Sequence, residues 1–246
     1  MRLAAIDIGS NAARLLIREV KISAEGEPVF NKLNLIRVPL RLGFDVFENN
    51  EISEEKTIMV MQTMKAYRHL INAYGITYIK ACATSAMRDA RNAPDIIRKI
   101  KMETDITIEV ISGEAEASYI YENHIAEKMS KDDAYLYIDV GGGSTELTFF
   151  SNEKLVFKES FNIGTIRLLK NMVTESHWNN MKDFVKAKIR NYRSVIAIGS
   201  GGNINKVFSL SKKKKGKPLP FELLRDYYKE KSGFTLKDRM RVYKLK

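Results

Sequence analysis

Tyr135 to Phe150 reads YLYIDVGGGSTELTFF. An apolar run with an acid near its end, Tyr137-Ile138-Asp139-Val140, breaks at Gly141-Gly142-Gly143, and the alternating run Thr145-Glu146-Leu147-Thr148-Phe149 follows. The pattern reads as strand, glycine turn, strand. Glycine tolerates positive φ and lets backbone approach a ligand closely, so three in succession can aim several N–H groups at one anion. The strand delivers Asp139 to that turn. A bare carboxylate would repel bound phosphates, so its expected task is to hold a divalent metal, directly or through waters, that neutralises them. Taken alone, the stretch is equally a hairpin with a flexible turn and one solvated acid.

The recurrence of the motif decides between these. Ile6-Asp7-Ile8-Gly9-Ser10-Asn11 is followed by Leu15, and 132 positions later Ile138-Asp139-Val140-Gly141-Gly142-Gly143 is followed by Leu147. Two such units at equal register indicate a duplication, with two similar domains facing each other and both turns pointing into one cleft. The chain has 246 residues, 44% of them hydrophobic, which is enough for two cores. The expected domains are 1–124 and 125–246.

A formal charge of +11 suits a polyanionic partner: nucleic acid, polyphosphate, a nucleotide or an acidic membrane surface. Cys82, the single cysteine, excludes an internal disulfide and fits a reducing compartment. Apolar runs fall short of the ~20 residues of a membrane span, and the first strand starts almost at Met1, leaving no room for a signal peptide. A cytoplasmic soluble protein is expected. His69, His124 and His177 show no ligand spacing, and no GxxxxGK[ST] occurs. The turn at Gly141 leads into a strand, where a dinucleotide fingerprint needs a helix. Trp178 is expected in the core.

Taken in order, strands at 3–8, 13–21 and 29–38 precede a polar loop opened by Arg41-Leu42-Gly43. Ser53 before Glu54, Glu55 and Lys56 predicts a helix cap, and Ile58, Met61, Met64 and Leu70 carry that helix to Tyr74, where Gly75 stops it. A strand at 76–83, helical sequence at 87–102 interrupted before Pro94, a strand at 106–111 and a helix from Gly113 to about Met129 complete a βββαβαβα order. From Tyr135 the order restarts. Gly199-Ser200-Gly201-Gly202-Asn203 ends a strand and opens a helix, an anion-favouring place in an α/β sheet. Lys212–Lys217 is a charge run that is either a solvated loop or a basic rim. The second copy stops without its final strand and helix, so domain II is expected to be truncated at its C-terminal end.

Five segments together, AAIDIGSNAARLLI at 4–17, ATSAMRDA at 83–90, ISGEAEA at 111–117, YIDVGGGSTEL at 137–147 and IGSGGNINKVF at 198–208, resemble the exopolyphosphatase/guanosine pentaphosphatase (Ppx/GppA) family, in family order. The resemblance implies an actin-like α/β fold of the sugar kinase/Hsp70 superfamily. It consists of two duplicated ribonuclease H-like domains, each a mixed sheet in βββαβαβ order, with a cleft between them. It implies a phosphohydrolase that releases the terminal phosphate of polyphosphate or guanosine pentaphosphate with Mg2+. Nucleic acid and membrane are not expected as partners, and a homodimer is left open.

By the same resemblance Glu116 activates the attacking water and Arg88 grips the terminal phosphoryl group. Ser10, Asn11 and Arg14 form one phosphate loop and Gly141, Gly142, Gly143, Ser144 and Thr145 the other. Asp139 and Glu146, with Asp7 from the facing domain, place the metal. Gly199, Ser200, Gly201, Gly202 and Asn203 bind nucleotide or polyphosphate. The first turn of a helix is expected to help hold Glu116 ionised. Ala115 replaces the first glutamate of the family's pair and Ser118 stands where arginine is frequent, which keeps a non-catalytic nucleotide or alarmone sensor open as an alternative. An ATP-dependent kinase of the same superfamily is another, and it would need a catalytic acid on a sugar-binding segment that the sequence does not present.

Overall fold

A computed structural model of the chain describes residues 1–113, 115–116, 133–152, 154–214 and 216–243. The chain divides into two compact units, Met1–Ile198 and Gly199–Lys246. The first unit holds two sheets. Strands β1 (Arg2–Ile8), β2 (Ala13–Ile22), β3 (Pro28–Val38), β4 (Tyr78–Ala83) and β5 (Ile108–Val110) lie in the order β3-β2-β1-β4-β5. β1 pairs antiparallel with β2 and parallel with β4, so the sheet is mixed. Strands β6 (Ala134–Val140), β7 (Thr145–Ser151), β8 (Lys154–Phe161) and β9 (Val195–Ser200) repeat that order as β8-β7-β6-β9. The duplication legible in the sequence is therefore a duplication of sheet topology, the two-sheet α/β fold expected.

Helices α1 (Leu42–Asn49), α2 (Glu54–Ala73), α3 (Ser85–Asp89) and α4 (Ala93–Thr104) belong with the first sheet. Ser53 caps α2 by accepting from the Lys56 N–H at 3.3 Å. The buried stripe of α2 is Val60, Met64, Tyr67 and Ile71, at helical spacing, while Ile58 faces solvent. Each such side chain contributes about 1.5–3 kcal/mol by leaving water. Tyr67 also donates from its hydroxyl to the Ala13 carbonyl at 3.0 Å, fixing the helix over the start of β2.

The loop expected after Arg41 is instead α1. Leu42, Val46 and Phe47 share one buried face, and Arg41 at φ 56° turns the chain into the helix without a side-chain cap. The helix expected from Gly113 to Met129 is seen at Gly113, Ala115 and Glu116; its remainder lies outside the described residues.

The second sheet packs Phe149 and Phe157, 5.3 Å between ring centroids, against Phe184, Val185 and Ile189 of α6 (Glu175–Ile189). Trp178 on α6 is half-buried rather than part of that core. Between β8 and α6 lies the short α5 (Thr165–Leu169), whose Ile166 is buried in the core of the first sheet. One side chain from the second copy thus completes the core of the first. The second unit holds α7 (Gly202–Leu210), α8 (Phe221–Ser232) and α9 (Leu236–Tyr243). Among the described residues no helix is long and apolar enough to cross a membrane.

Candidate active site

The repeated hairpins are superposable in register. Asp7 faces Arg14 across β1–β2, and Asp139 faces Glu146 across β6–β7, each pair 132 positions from its counterpart. Each turn is closed by the equivalent bond, Gly9 N–H to Ala12 O at 3.0 Å and Gly141 N–H to Ser144 O at 2.9 Å. The copies differ in charge. Arg14 donates to Asp7 at 2.8 Å and neutralises the first hairpin, whereas the second sets two acids side by side.

The two turns meet. A Cβ on Gly143 would stand 2.4 Å from Ser85 Oγ, and that hydroxyl shares a buried 2.8 Å hydrogen bond with Ser10. A Cβ on Gly142 would come within 3.0 Å of Ser10 and Asn11. Glycine is required here by the close approach of the facing loop. Ser10, Asn11, Gly142 and Gly143 are thereby brought together as the sequence expects. Ser144 and Thr145 follow into β7, and Thr145 is pinned by its hydroxyl to the Ile163 carbonyl at 2.5 Å. Arg14 is brought to Asp7, with 55% of its side chain exposed.

Glu116 enters from between the sheets. Ser112 caps its helical turn, its hydroxyl accepting from Ala115 N–H at 3.1 Å and its carbonyl from Glu116 N–H at 3.0 Å. Arg88 on α3 donates to the Ile111 carbonyl at 2.8 Å, just before that turn. On the other side Gly113 lies against Ser160, where a Cβ would be 2.5 Å away. Ser160 in turn donates to Glu146 at 3.1 Å. The Oε2 atom of Glu116 is buried and finds no hydrogen-bond partner among the described residues.

These acids share one electrostatic field. Burial first, then the charges of Glu146 and Asp7, push the Glu116 carboxyl up to about 8; Arg88 opposes this and Asp139 adds to it. The expectation that the helix start keeps Glu116 ionised is therefore overturned: lost hydration and neighbouring acids outweigh the few N–H dipoles of one turn. Glu146 is raised by burial, against the hydrogen bonds of Ser144 and Ser160, and further by Asp139. It is buried, as is the rest of Thr145–Phe150. Asp7 is raised by burial against Arg14, and also by Asp139. The Asp139 charge is the smallest of these influences, and 46% of the Asp7 side chain is accessible.

Among the described residues no three His, Cys, Asp or Glu side chains stand close enough to enclose a metal ion. The donor set fits a hard cation of another kind. Magnesium keeps most of its waters and takes one or two carboxylates plus the phosphate oxygens of a substrate. Asp139 and Glu146, mutually repelling and close to the orphaned Glu116 oxygen, suit that arrangement. Asp7 suits it less because Arg14 already balances it.

The third glycine run ends β9 with Gly199 and Ser200 and opens α7 with Gly202 and Asn203, Gly201 taking φ 105°. It stands at the start of the second compact unit, and its binding role rests on the sequence. Ser85 lies inside the motif at 83–90 but carries no role there, and Ser160 lies in no motif. Each acquires its place only when the sheets come together.

Residues 20–212 match the Ppx/GppA phosphatase family. The bifunctional 3-dehydroquinate synthase/phosphatase of Fusobacterium nucleatum is 34% identical over 197 residues, 77% of this chain. The chain spans 29% of the length of that curated relative. Among solved structures, the Aquifex aeolicus member of the Ppx/GppA protein family is 25% identical with a TM-score of 0.77, covering 99% of this chain and 83% of that one. An exopolyphosphatase from Cytophaga hutchinsonii shares the fold at 24% identity and a TM-score of 0.79, covering 98% and 82%.

Proposed function

The chain belongs to the Ppx/GppA phosphatase family, and from that premise we propose that it hydrolyses the terminal phosphoanhydride bond of inorganic polyphosphate, guanosine pentaphosphate or both, with Glu116 as the base that activates water. The observation that carries this reading is the buried Oε2 of Glu116, without a hydrogen-bond partner among the described residues and in the field of Arg88 and of the acids of both hairpins. A carboxylate lifted toward neutral pH by its surroundings is matched to proton transfer from water, since a base works best with a pKa near the operating pH.

The residues divide the task as follows. The turns at Ser10-Asn11 and Gly141–Thr145 direct backbone N–H groups at the phosphate chain. Arg88, anchored on the Ile111 carbonyl, places its fixed charge next to Glu116 and the terminal phosphoryl group. Glu116 accepts the water proton as the water oxygen bonds to phosphorus and the bridging bond breaks in line, the bridging oxygen departing with the shortened chain. Asp139 and Glu146 would hold magnesium, which supplies charge neutralisation to the phosphates. A nucleotide- or polyphosphate-binding role for Gly199–Asn203 rests on its sequence motif alone.

The test compares phosphate release from polyphosphate, guanosine pentaphosphate and ATP by the wild type and by Glu116→Ala. Release from a phosphate chain that is abolished in the variant supports the reading. Tight binding without release by the wild type identifies the sensor, and release that needs a second acceptor identifies the kinase.

A further inference from the structure

Helix α5 grips the second glycine turn from behind. Thr165 N–H donates to the Gly141 carbonyl at 3.0 Å and Ile166 N–H to the Gly142 carbonyl at 2.8 Å. The third successive carbonyl, that of Gly143, accepts from a side chain instead: Arg167 Nε at 2.7 Å. The same guanidinium donates through Nη2 to Asp89 Oδ2 at 2.5 Å and lies over the Phe47 ring, 4.2 Å from its centroid. Its side chain is only 13% exposed. Phe47 also walls Gly143, whose Cβ would lie 2.6 Å from the ring edge. Gly164 sits so close behind the turn that a Cβ there would be 2.3 Å from the Gly142 carbonyl oxygen.

We propose that Arg167 is a positioning residue of the phosphate site, one guanidinium that fixes the Gly143–Ser144 peptide unit and, through Asp89, the helix carrying Arg88. A trans peptide is planar, with its carbonyl and N–H pointing in opposite directions. Holding the carbonyls of Gly141, Gly142 and Gly143 toward α5 turns the next N–H groups, those of Gly142, Gly143 and Ser144, away from it. Arg167 completes that row with its side chain. Asp89 directly follows Arg88 in the five-residue α3, so the contact that orients the turn also sets the spacing between the turn and Arg88. The role requires a planar fork able to bond in two directions while stacked on an aromatic face, which lysine lacks.

The inference rests on the proposed hydrolysis, and the experiment separates the two. Arg167→Lys and Asp89→Asn are compared with wild type in kcat and KM for phosphate release from polyphosphate, in thermal midpoint, and in amide exchange at Gly141, Thr165 and Ile166, each hydrogen-bonded within or onto the turn. The expected result is a 10- to 100-fold loss of kcat in Arg167→Lys, the scale of an ångström of misplacement. Exchange at those three amides should be at least about tenfold faster, with β1 unchanged. Asp89→Asn, which keeps the Gly143 bond, should lose kcat with little change in exchange. Wild-type kcat in both variants, or a lowered midpoint with kcat per folded molecule intact, overturns the inference. If the wild type releases no phosphate from any chain, the hydrolysis reading fails and exchange alone decides: accelerated in Arg167→Lys, the positioning stands; unchanged, it falls.

Discussion

Replacing Glu116 by glutamine should make the protein more stable at pH 8 and no more stable at pH 5. In the unfolded chain the carboxyl titrates near 4.5; in the fold it titrates at about 8. Between those values the folded state holds a proton that the unfolded state has lost, so stability falls as pH rises across the window. The neutral carboxyl stabilises the fold fully below pH 4.5, and that contribution is gone above about pH 8. At ~1.36 kcal/mol for each pH unit, the interval sets an upper limit of about 5 kcal/mol. Glu116 as a whole is only half-buried, so part of that limit is lost to screening and on the order of 2 kcal/mol is expected. For a chain of this size that corresponds to a midpoint shift of roughly 4–8 °C. Glutamine keeps the shape of the neutral acid and does not titrate. The assay is thermal unfolding of both proteins in chelator at pH 5, 6.5 and 8. The difference should grow from near zero to several degrees in favour of the variant, and shrink when magnesium and polyphosphate are added. Parallel curves with no difference at any pH would mean that Glu116 is hydrated like a surface acid, and the poised-base account would fail.

Gly143→Ala forces a methyl group into Ser85 and Phe47, so it should cost about 1–3 kcal/mol by overpacking, seen in denaturant unfolding, and lower turnover further by parting the turns. Arg88→Lys should reduce kcat for phosphate release by roughly 10²–10³, the loss of one transition-state donor, with a circular dichroism spectrum like that of wild type. Asp139→Asn should raise the magnesium concentration needed for half-maximal turnover by about 10- to 100-fold, read from a titration after chelation; an unchanged requirement removes Asp139 from the metal's surroundings.

Much of this was readable from sequence because the repeat fixes two hairpins in one register, and a strand followed by three glycines leaves little freedom in how the chain reverses. Asp7, Asp139 and Glu116 land in one field because topology brings the ends of β1, β5 and β6 together. Glu146 was harder to place. Alternation identifies a face only where one side of a strand meets water, and Thr145 to Phe150 is buried throughout. Helix α1 has little local signal because it is short, starts from a left-handed arginine with no capping side chain, and buries its apolar face in a core shared with residues remote in the chain, Ile166 among them. Arg167 carries no local signal: on sequence it is one more cation on a helix, and its partners Gly143, Asp89 and Phe47 come from three separate elements. The charge on Glu116 was misjudged because one turn's dipole is visible in sequence, while the acids that oppose it arrive from elsewhere in the fold.

On this proposal a single carboxylate, that of Glu116, readies water for attack on a phosphate chain. Turnover of polyphosphate with magnesium, followed from pH 6 to 9 in the wild type and in Glu116→Gln, tests it most directly. The account predicts a loss of 10²- to 10⁴-fold in the variant, together with disappearance of the rise in rate that the wild type shows as Glu116 ionises. A variant that turns over polyphosphate at the wild-type rate with the same pH profile would contradict it.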